Sequence, residues 1–301
     1  MALNCALLLF ILAVFVVVQL YASLPRLPPA RIATRLDFEF YRQHHRAFHG
    51  EAGANALKRF IVAHAAPRDS AVVIDVGANL GQATLPSDAS VRTKHEVAIG
   101  YAFSPSTCFH LIEPNRANVN VLRQRAAALP CAIVTEAAVS SMPGTATFAL
   151  GDNRNVAGNE HGALAPFAAA TSTSMLVNVT TLNAYVALYA IASIDFLKID
   201  TEGYDALVLE GASEILHSVR MILFECHKLQ LAAYGGPNTS LARTAHALWK
   251  HGHFNTFIVS PRWFVRVTDD RRFDEMLQWQ NCFAIRTPDA LVSLLTRTFV
   301  V

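Results

Sequence analysis

The chain has 301 residues, of which 52% are hydrophobic and 16% are charged. This composition excludes a disordered polar chain, and the 14 glycines and 5 cysteines exclude a collagen-like or a disulfide-dense chain. The formal net charge of +2 gives no electrostatic case for nucleic acid, because phosphate binding requires a clustered basic surface. No nucleic-acid partner is therefore expected.

The chain starts with a long apolar stretch that has no charged side chain before Arg26. Twenty residues, 3–22, cover about 30 Å as a helix, which is the thickness of the hydrocarbon core of a bilayer. A cleaved signal peptide is the weaker alternative, because the stretch is long and no Lys or Arg precedes it. The sequence predicts a transmembrane anchor over 1–23, a Pro/Arg-rich stem over 24–36 and one domain over 37–301.

The orientation of this single-pass anchor stays open at the level of the sequence. Arg26, Arg31 and Arg35 follow the stretch, and the positive-inside rule would place the domain in the cytosol. Sequons at Asn178 and Asn238 allow the opposite, luminal side. In a eukaryote, the expected membrane is that of the Golgi or the endoplasmic reticulum.

No metal site is predicted. The cysteines form no CxxC pair, which disfavours zinc. Four of them could pair with one another, but the spacing does not indicate it, and small buried hydrophobic side chains are the favoured interpretation. Three histidines, His44, His45 and His49, fall in a mostly helical segment, where a polar helix face is favoured over a metal cluster.

The body of the chain alternates between apolar runs and helix-compatible segments. Buried parallel strands are predicted at 71–76, 109–112, 132–139, 194–199 and 221–224. Helices are predicted at 37–66, 116–129, 204–217 and 241–251. Alternating stretches at 145–150 and 175–182 indicate an antiparallel insertion, and two last strands are expected at 255–259 and 282–286. This order predicts an α/β fold, a doubly wound and mostly parallel sheet with an antiparallel edge.

Candidate binding residues follow the first two strands. Ligands of such sheets bind outside the carboxyl ends of the strands, where the first loop reads Gly77-Ala78-Asn79-Leu80-Gly81. Glycines allow a tight turn and a close approach of backbone to ligand. Glu113, at the end of the second strand, can accept both hydroxyl hydrogens of a ribose.

The glycine spacing separates two classes of nucleotide ligand. A dinucleotide site requires G-x-G-x-x-G around a pyrophosphate, and Asn79 interrupts that spacing here. A nucleoside with an amino-acid tail, S-adenosylmethionine, fits better, with Asp75 and the loop amides near the tail. An NAD or nucleotide-sugar enzyme is the disfavoured alternative.

Acidic residues also follow the later strands. Asp200 ends an apolar strand, and Glu202 lies two residues on, where capping of a helix competes with a functional role. Glu225-Cys226-His227 follows the fifth strand and offers a possible acceptor-side pair, although for His227 a structural role is the stronger alternative. Asp200, Glu202 and His227 are the candidate catalytic residues.

In these motifs the chain resembles the FkbM family of S-adenosylmethionine-dependent methyltransferases. The matching motifs are Val73–Gly81, Ile112–Asn115, Val179–Asn183, Ile194–Gly203 and Val208–Ala212, in family order. The resemblance implies a class I methyltransferase fold, Rossmann-like and seven-stranded. It implies that Gly77, Asn79 and Glu113 line the methyl-donor pocket, with Asp200 near the transferred methyl. The predicted donor-binding set is completed by Asp75, Ala78, Gly81 and Asp200. Asn183 departs from the family, which usually has Asp there.

The resemblance further implies methyl transfer from S-adenosylmethionine to an oxygen. The expected acceptor is a hydroxyl of a glycan, a lipid-linked sugar or a small molecule, and the membrane is the other expected partner. No metal is demanded for this reaction. The alternative is a binding or scaffold protein on a degenerate methyltransferase fold. The oligomeric state is not predicted.

Overall fold

A computed structural model describes residues 38–66, 68–86, 97–150, 162–164, 174–227, 240–267, 272–276, 279–289 and 291. The predicted anchor and stem and the sequon at Asn238 lie outside these residues. Within them, no helix has the length and apolar character needed to cross a membrane.

Twelve strands and six α-helices are described, besides helical residues 38–44 and two short 3-10 helices. The strands are β1 Ala71–Val76, β2 Thr107–Glu113, β3 Ala132–Glu136, β4 Ala138–Val139, β5 Gly144–Ala149, β6 Ala163–Leu164, β7 Ser174–Thr180, β8 Ile194–Ile199, β9 Val219–His227, β10 Phe254–Val259, β11 Phe264–Arg266 and β12 Trp279–Arg286. The helices are α1 Ala52–His64, α2 Arg116–Ala126, α3 Leu182–Leu188, α4 Asp205–Glu210, α5 Leu241–Gly252 and α6 Arg272–Met276.

The main sheet has eight strands in the order β11-β10-β12-β9-β8-β1-β2-β3. The five strands from β3 to β9 run parallel, as the alternation of strands and helices predicts. The predicted seven strands become eight because β11 adds to the edge beside β10. The antiparallel strand was predicted at an edge of the sheet. In the structure, antiparallel β12 lies inside the sheet, between β9 and β10.

The predicted insertion forms a separate sheet of four strands in the order β4-β7-β5-β6. Its β5 and β7 pair antiparallel, in agreement with the alternating pattern. The predicted strand at 132–139 is divided, because β3 stays in the main sheet while β4 pairs with β7. A continuous apolar run does not reveal which of two sheets each half joins.

The main sheet is buried on both faces. Along β8 all six side chains are buried, and the neighbours Phe196 and Leu197 belong to different cores. This burial explains why the parallel strands appear in the sequence as continuous apolar runs.

One predicted helix, 204–217, is much shorter in the structure. Helix α4 stops at Gly211, where an added Cβ would lie 2.3 Å from the carbonyl oxygen of Ser140. The backbone at Gly211 therefore packs directly against the segment after β4. This contact leaves no room for a side chain at position 211.

The prediction for four of the cysteines is wrong. Disulfide bonds join Cys108 to Cys131, with a Cα–Cα distance of 4.6 Å, and Cys226 to Cys282, with 5.8 Å. The sequence did not reveal the pairs because the partners are 23 and 56 residues apart and meet only once the strands are aligned. Cys5 lies outside the described residues.

Candidate active site

Five polar or glycine positions fall on one level at the carboxyl end of the main sheet. The register pairs Val76 with Ile112 and Ile199, and Ile199 with Phe224. One residue beyond this level lie Glu113, Gly77, Asp200, Glu225 and, on antiparallel β12, Asn281. Residues on one level of a sheet project to the same face. We call these five residues the terminal row.

The loop after β1 depends on glycine at its first position. Gly77 has φ +74°, and a Cβ there would lie 1.8 Å from the carbonyl oxygen of Asp200. The glycine therefore permits a left-handed turn and lets the ends of β1 and β8 touch. Asn79 has φ +48°, a conformation that asparagine adopts more readily than most residues.

No helix follows this loop directly among the described residues, where turns run from Asn79 to Leu85. Within this part of the chain, the loop is therefore not continued by a helix N-terminus. Gly81 has φ +75° and packs against Leu85, and Ala78 is buried. Arg125 of α2 donates to the carbonyl oxygens of Leu80 and Pro86, and these hydrogen bonds connect α2 to the loop.

Glu113 is buried and binds the backbone of two loops. Its Oε2 accepts from the Asn79 N–H at 2.9 Å, and its Oε1 accepts from the Asn115 N–H at 2.9 Å. Asn118 Nδ2 lies 3.4 Å from Oε1. Burial raises the pKa of Glu113. The carboxyl group thus fixes the loop after β1 to the end of β2.

Asp75 lies beneath the loop, fully buried. Its Oδ1 accepts from Lys198 Nζ at 3.1 Å, and its Oδ2 has no hydrogen-bond partner among the described residues. Lys198 also lies 3.3 Å from Asp200 Oδ2 and donates to the Gly77 carbonyl oxygen. One ammonium group therefore connects β1, its loop and Asp200. The Asp200 side chain is 35% exposed and so reaches the surface of the site.

Asp205 couples the end of β8 to β9. Its Oδ2 accepts from the N–H and the hydroxyl of Thr201, and its Oδ1 accepts from the Glu225 N–H at 2.9 Å. Burial and the charge of Asp200 raise the pKa of Asp205 to about 6. This buried carboxyl group holds Asp200 and Glu225 side by side.

Glu225 belongs to the possible acceptor-side pair that the sequence indicates, but it is not one of the three catalytic candidates. It is 5% exposed, and its Oε1 accepts from Trp279 Nε1 at 2.8 Å. Burial, followed by the charges of Asp200, Asp205 and Glu202, raises its pKa well above the ordinary value. Its position in the sequence indicates a functional role, because Glu225 comes directly after an apolar run, as Glu113 and Asp200 do.

The two other catalytic candidates are placed differently. Glu202 lies in the turn after β8 with φ +51°, three residues before α4, and Tyr204 takes the N-cap position. Helix capping therefore does not explain Glu202, and its left-handed backbone is a costly conformation. His227 is the last residue of β9, with its backbone opposite Trp279.

No group of three or more His, Cys, Asp or Glu side chains in the described part of the chain is arranged to hold a metal ion. Asn183, where the chain departs from the expected Asp, lies at the start of α3 and accepts from the Glu214 N–H. Its role in the described structure is to join α3 to the turn after α4.

Comparison with known proteins identifies the family. No curated protein is significantly similar in sequence. Among solved structures, the chain is similar to precorrin-6y C5,15-methyltransferase from Geobacter metallireducens GS-15, at 10% identity over 76% of this chain and 88% of that one, with a TM-score of 0.36. It is also similar to a protein from Klebsiella pneumoniae assigned as an O-methyltransferase, at 10% identity over 89% and 94%, with a TM-score of 0.32.

The family model of the methyltransferase FkbM domain matches residues 75–280. The match begins at Asp75, the buried carboxylate beneath the loop after β1. It ends one residue after Trp279, whose indole donates to Glu225. It therefore contains every residue of the terminal row except Asn281. The chain belongs to the FkbM family of methyltransferases.

Proposed function

We propose that the protein is an S-adenosylmethionine-dependent methyltransferase that methylates a hydroxyl group. The observation that carries this proposal is the terminal row, which sets a glycine loop and a buried carboxyl beside two further carboxyl groups. The loop and Glu113 would hold the donor, and Asp200 and Glu225 would face the acceptor.

The residues at the donor end fit a donor with an amino-acid tail. Two buried oxygen atoms there, Asp75 Oδ2 and Asn79 Oδ1, lack hydrogen-bond partners in the described structure. Buried polar atoms normally have partners, so such atoms suggest hydrogen-bond donors supplied by a ligand. Gly77 has no side chain, so the Asp200 carbonyl oxygen lies only 1.8 Å from where a Cβ would be, and the loop stays next to Asp200.

S-adenosylmethionine supplies an activated methyl group, so the protein has to align the acceptor and remove one proton. Lys198 holds Asp200 at the rim, and Asp205 fixes the turn that carries it. Asp200 and Glu202 would then set the charge around the reacting groups. A hydroxyl on a glycan, a lipid-linked sugar or a small molecule is the acceptor class that we propose.

We also propose that residues 3–22 anchor the enzyme in a membrane as a single span. The two disulfides support a domain on the non-cytosolic side, since disulfides persist in oxidising compartments and are rare in the cytosol. Asn178, the sequon residue on β7, is exposed, which is compatible with that side.

The test of the proposed function combines binding and turnover. Calorimetric titration with S-adenosylhomocysteine should show a single donor site. Transfer of a labelled methyl group should then be screened across glycans, lipids and peptides. Binding without transfer to any hydroxyl acceptor would contradict the proposed chemistry. The absence of binding would favour the scaffold alternative.

Replacing Glu113 by glutamine is expected to weaken donor binding at least about tenfold, because an amide cannot accept both loop N–H groups and each charged hydrogen bond contributes about 1.5–3 kcal/mol. S-adenosylhomocysteine titration measures the affinity, and denaturant unfolding measures the stability. Glu136→Gln is the matched control. Glu136 pairs with Glu113 across β2 and β3, but it forms partly exposed ion pairs with Arg116 and Arg123. Equal affinities of the two variants would remove Glu113 from the donor site.

Replacing Asp200 by asparagine is expected to slow methyl transfer about 10- to 100-fold, the loss of one charge-assisted interaction. Stability should change by less than about 1 kcal/mol, because the ion pair with Lys198 is partly exposed. Turnover at saturating donor and thermal unfolding measure the two effects. A large drop in melting temperature with a normal rate would make Asp200 a structural residue.

A further inference from the structure

We propose that Glu225 is the catalytic base, which accepts the proton that the acceptor hydroxyl loses during methyl transfer. This assignment rests on the proposed function and names a residue outside the set Asp200, Glu202 and His227 that the sequence indicates.

The reaction step balances without a further reactant. A lone pair of the acceptor oxygen forms the new bond to the methyl carbon, and the bond between that carbon and the donor sulfur breaks. Its electron pair stays on sulfur, so the sulfonium becomes a neutral thioether. The hydroxyl proton passes to Glu225 Oε2, which turns the carboxylate into a carboxyl group.

The two carboxyl oxygens of Glu225 differ in their hydrogen bonding. Trp279 Nε1 donates to Oε1 at 2.8 Å, which fixes the plane of the carboxyl group. Oε2 is buried and has no hydrogen-bond partner among the described residues. A buried oxygen without a partner costs about 1–3 kcal/mol, and a hydroxyl donor from a bound acceptor would remove that cost.

The place of Glu225 in the sheet suits an acceptor next to the donor. Gly77, Asp200 and Glu225 lie on one level of three adjacent strands. Neighbouring strands are about 4.8 Å apart, so Glu225 lies roughly 10 Å across the sheet from the loop that would hold the donor. This span accommodates a methyl group and an acceptor oxygen in contact between them.

The surroundings of Glu225 give it the affinity for a proton that a base requires. The negative charges of Asp200, Asp205 and Glu202, in the segment after β8, act on its carboxyl group. From the segment before α1, Glu51 accepts from Asn281 and His49 packs against Trp279. Burial and the three acidic neighbours raise the pKa of Glu225, which brings it closer to the pH at which the enzyme works.

A positioning role for the indole follows from the same contact. The Trp279 hydrogen bond stabilises the charged form and lowers the pKa of Glu225. Trp279 itself is held by the chain before α1, where the Gly50 N–H donates to its carbonyl oxygen. Trp279→Phe keeps an aromatic ring and removes only the N–H donor.

The decisive experiment compares Glu225→Gln with wild type and with Glu210→Gln, a change at an exposed residue at the end of α4. Glu225→Gln should bind S-adenosylhomocysteine as wild type does and transfer methyl about 10²- to 10⁴-fold more slowly, the usual contribution of a general base. The transfer assay uses the hydroxyl acceptor found in the screen. A wild-type rate in Glu225→Gln would overturn the proposal, whereas lack of donor binding in the wild type would overturn the proposed function instead.

Two pH titrations separate catalysis from a structural role. In the wild type the rate should fall as the pH decreases through the raised pKa of Glu225, and in Trp279→Phe this acid limb should move to higher pH. Without any acceptor, tryptophan fluorescence should show a pH-dependent step in the wild type that is absent from Glu225→Gln and from Trp279→Phe. A step retained in Glu225→Gln, or an acid limb that Trp279→Phe leaves in place, would overturn the assignment.

Discussion

Replacing Gly77 by alanine is expected to destabilise the protein by roughly 2–5 kcal/mol, the sum of a left-handed alanine and an overpacked contact. The new Cβ would lie 1.8 Å from the Asp200 carbonyl oxygen, so β1 or β8 must shift at its end. This shift separates the loop after β1 from Asp200 and should also abolish binding of S-adenosylhomocysteine. Urea unfolding and calorimetric titration measure the two losses.

Gly50→Ala is the matched control for this variant. Gly50 has φ +77°, nearly the same backbone conformation, but the nearest atom to its Cβ would be 3.7 Å away, on the Trp279 ring. Gly50→Ala should therefore cost only the backbone term, about 1–2 kcal/mol. Equal losses in the two variants would show that the contact between β1 and β8 is not the reason for glycine at position 77.

Removing the Cys226–Cys282 disulfide, by replacing both cysteines with alanine, is expected to lower the free energy of unfolding by about 4 kcal/mol. The bond closes a chain segment of 56 residues and joins β9 to β12 in the buried core. Chain entropy in the unfolded state explains most of this effect, because the free ends of a long loop regain many conformations.

The Cys108–Cys131 disulfide provides an internal comparison. It closes only 23 residues, so the same double replacement there should cost less, about 3 kcal/mol. Denaturant unfolding of both double variants, with peptide mapping of the wild-type bonds by mass spectrometry, tests this order. A wild-type protein whose stability is insensitive to reductant would contradict both predictions.

The sequence revealed those parts of the fold that depend on local patterns. The strands from Ala71 and Ile194 and the loop at Gly77 were predictable because buried parallel strands are apolar throughout and a tight turn requires glycine. The edge strand at Phe264 was missed, since three residues carry no detectable period. The pairing of the cysteines was missed because it depends on the register between β9 and β12.

The positions of two residues of the candidate site were predictable. Glu113 and Asp200 stand directly after apolar strands, and the structure places both in the terminal row. The partners of these residues were not predictable. Trp279 meets Glu225 across 54 residues of sequence, and Lys198, inside a buried strand, gives no sign that it pairs with two aspartates.

The Cys226–Cys282 bond bears on how this enzyme should be produced. Cys226 follows Glu225 directly, and Cys282 follows Asn281, so the crosslink lies one residue from both members of the terminal row on β9 and β12. Protein made in the reducing cytoplasm of a bacterial host would lack this bond, and the two strands would be held by hydrogen bonds and packing alone. Activity screens should therefore use material exported to the periplasm or refolded with a glutathione redox buffer, since an inactive cytoplasmic preparation would reflect missing crosslinks as readily as a wrong acceptor.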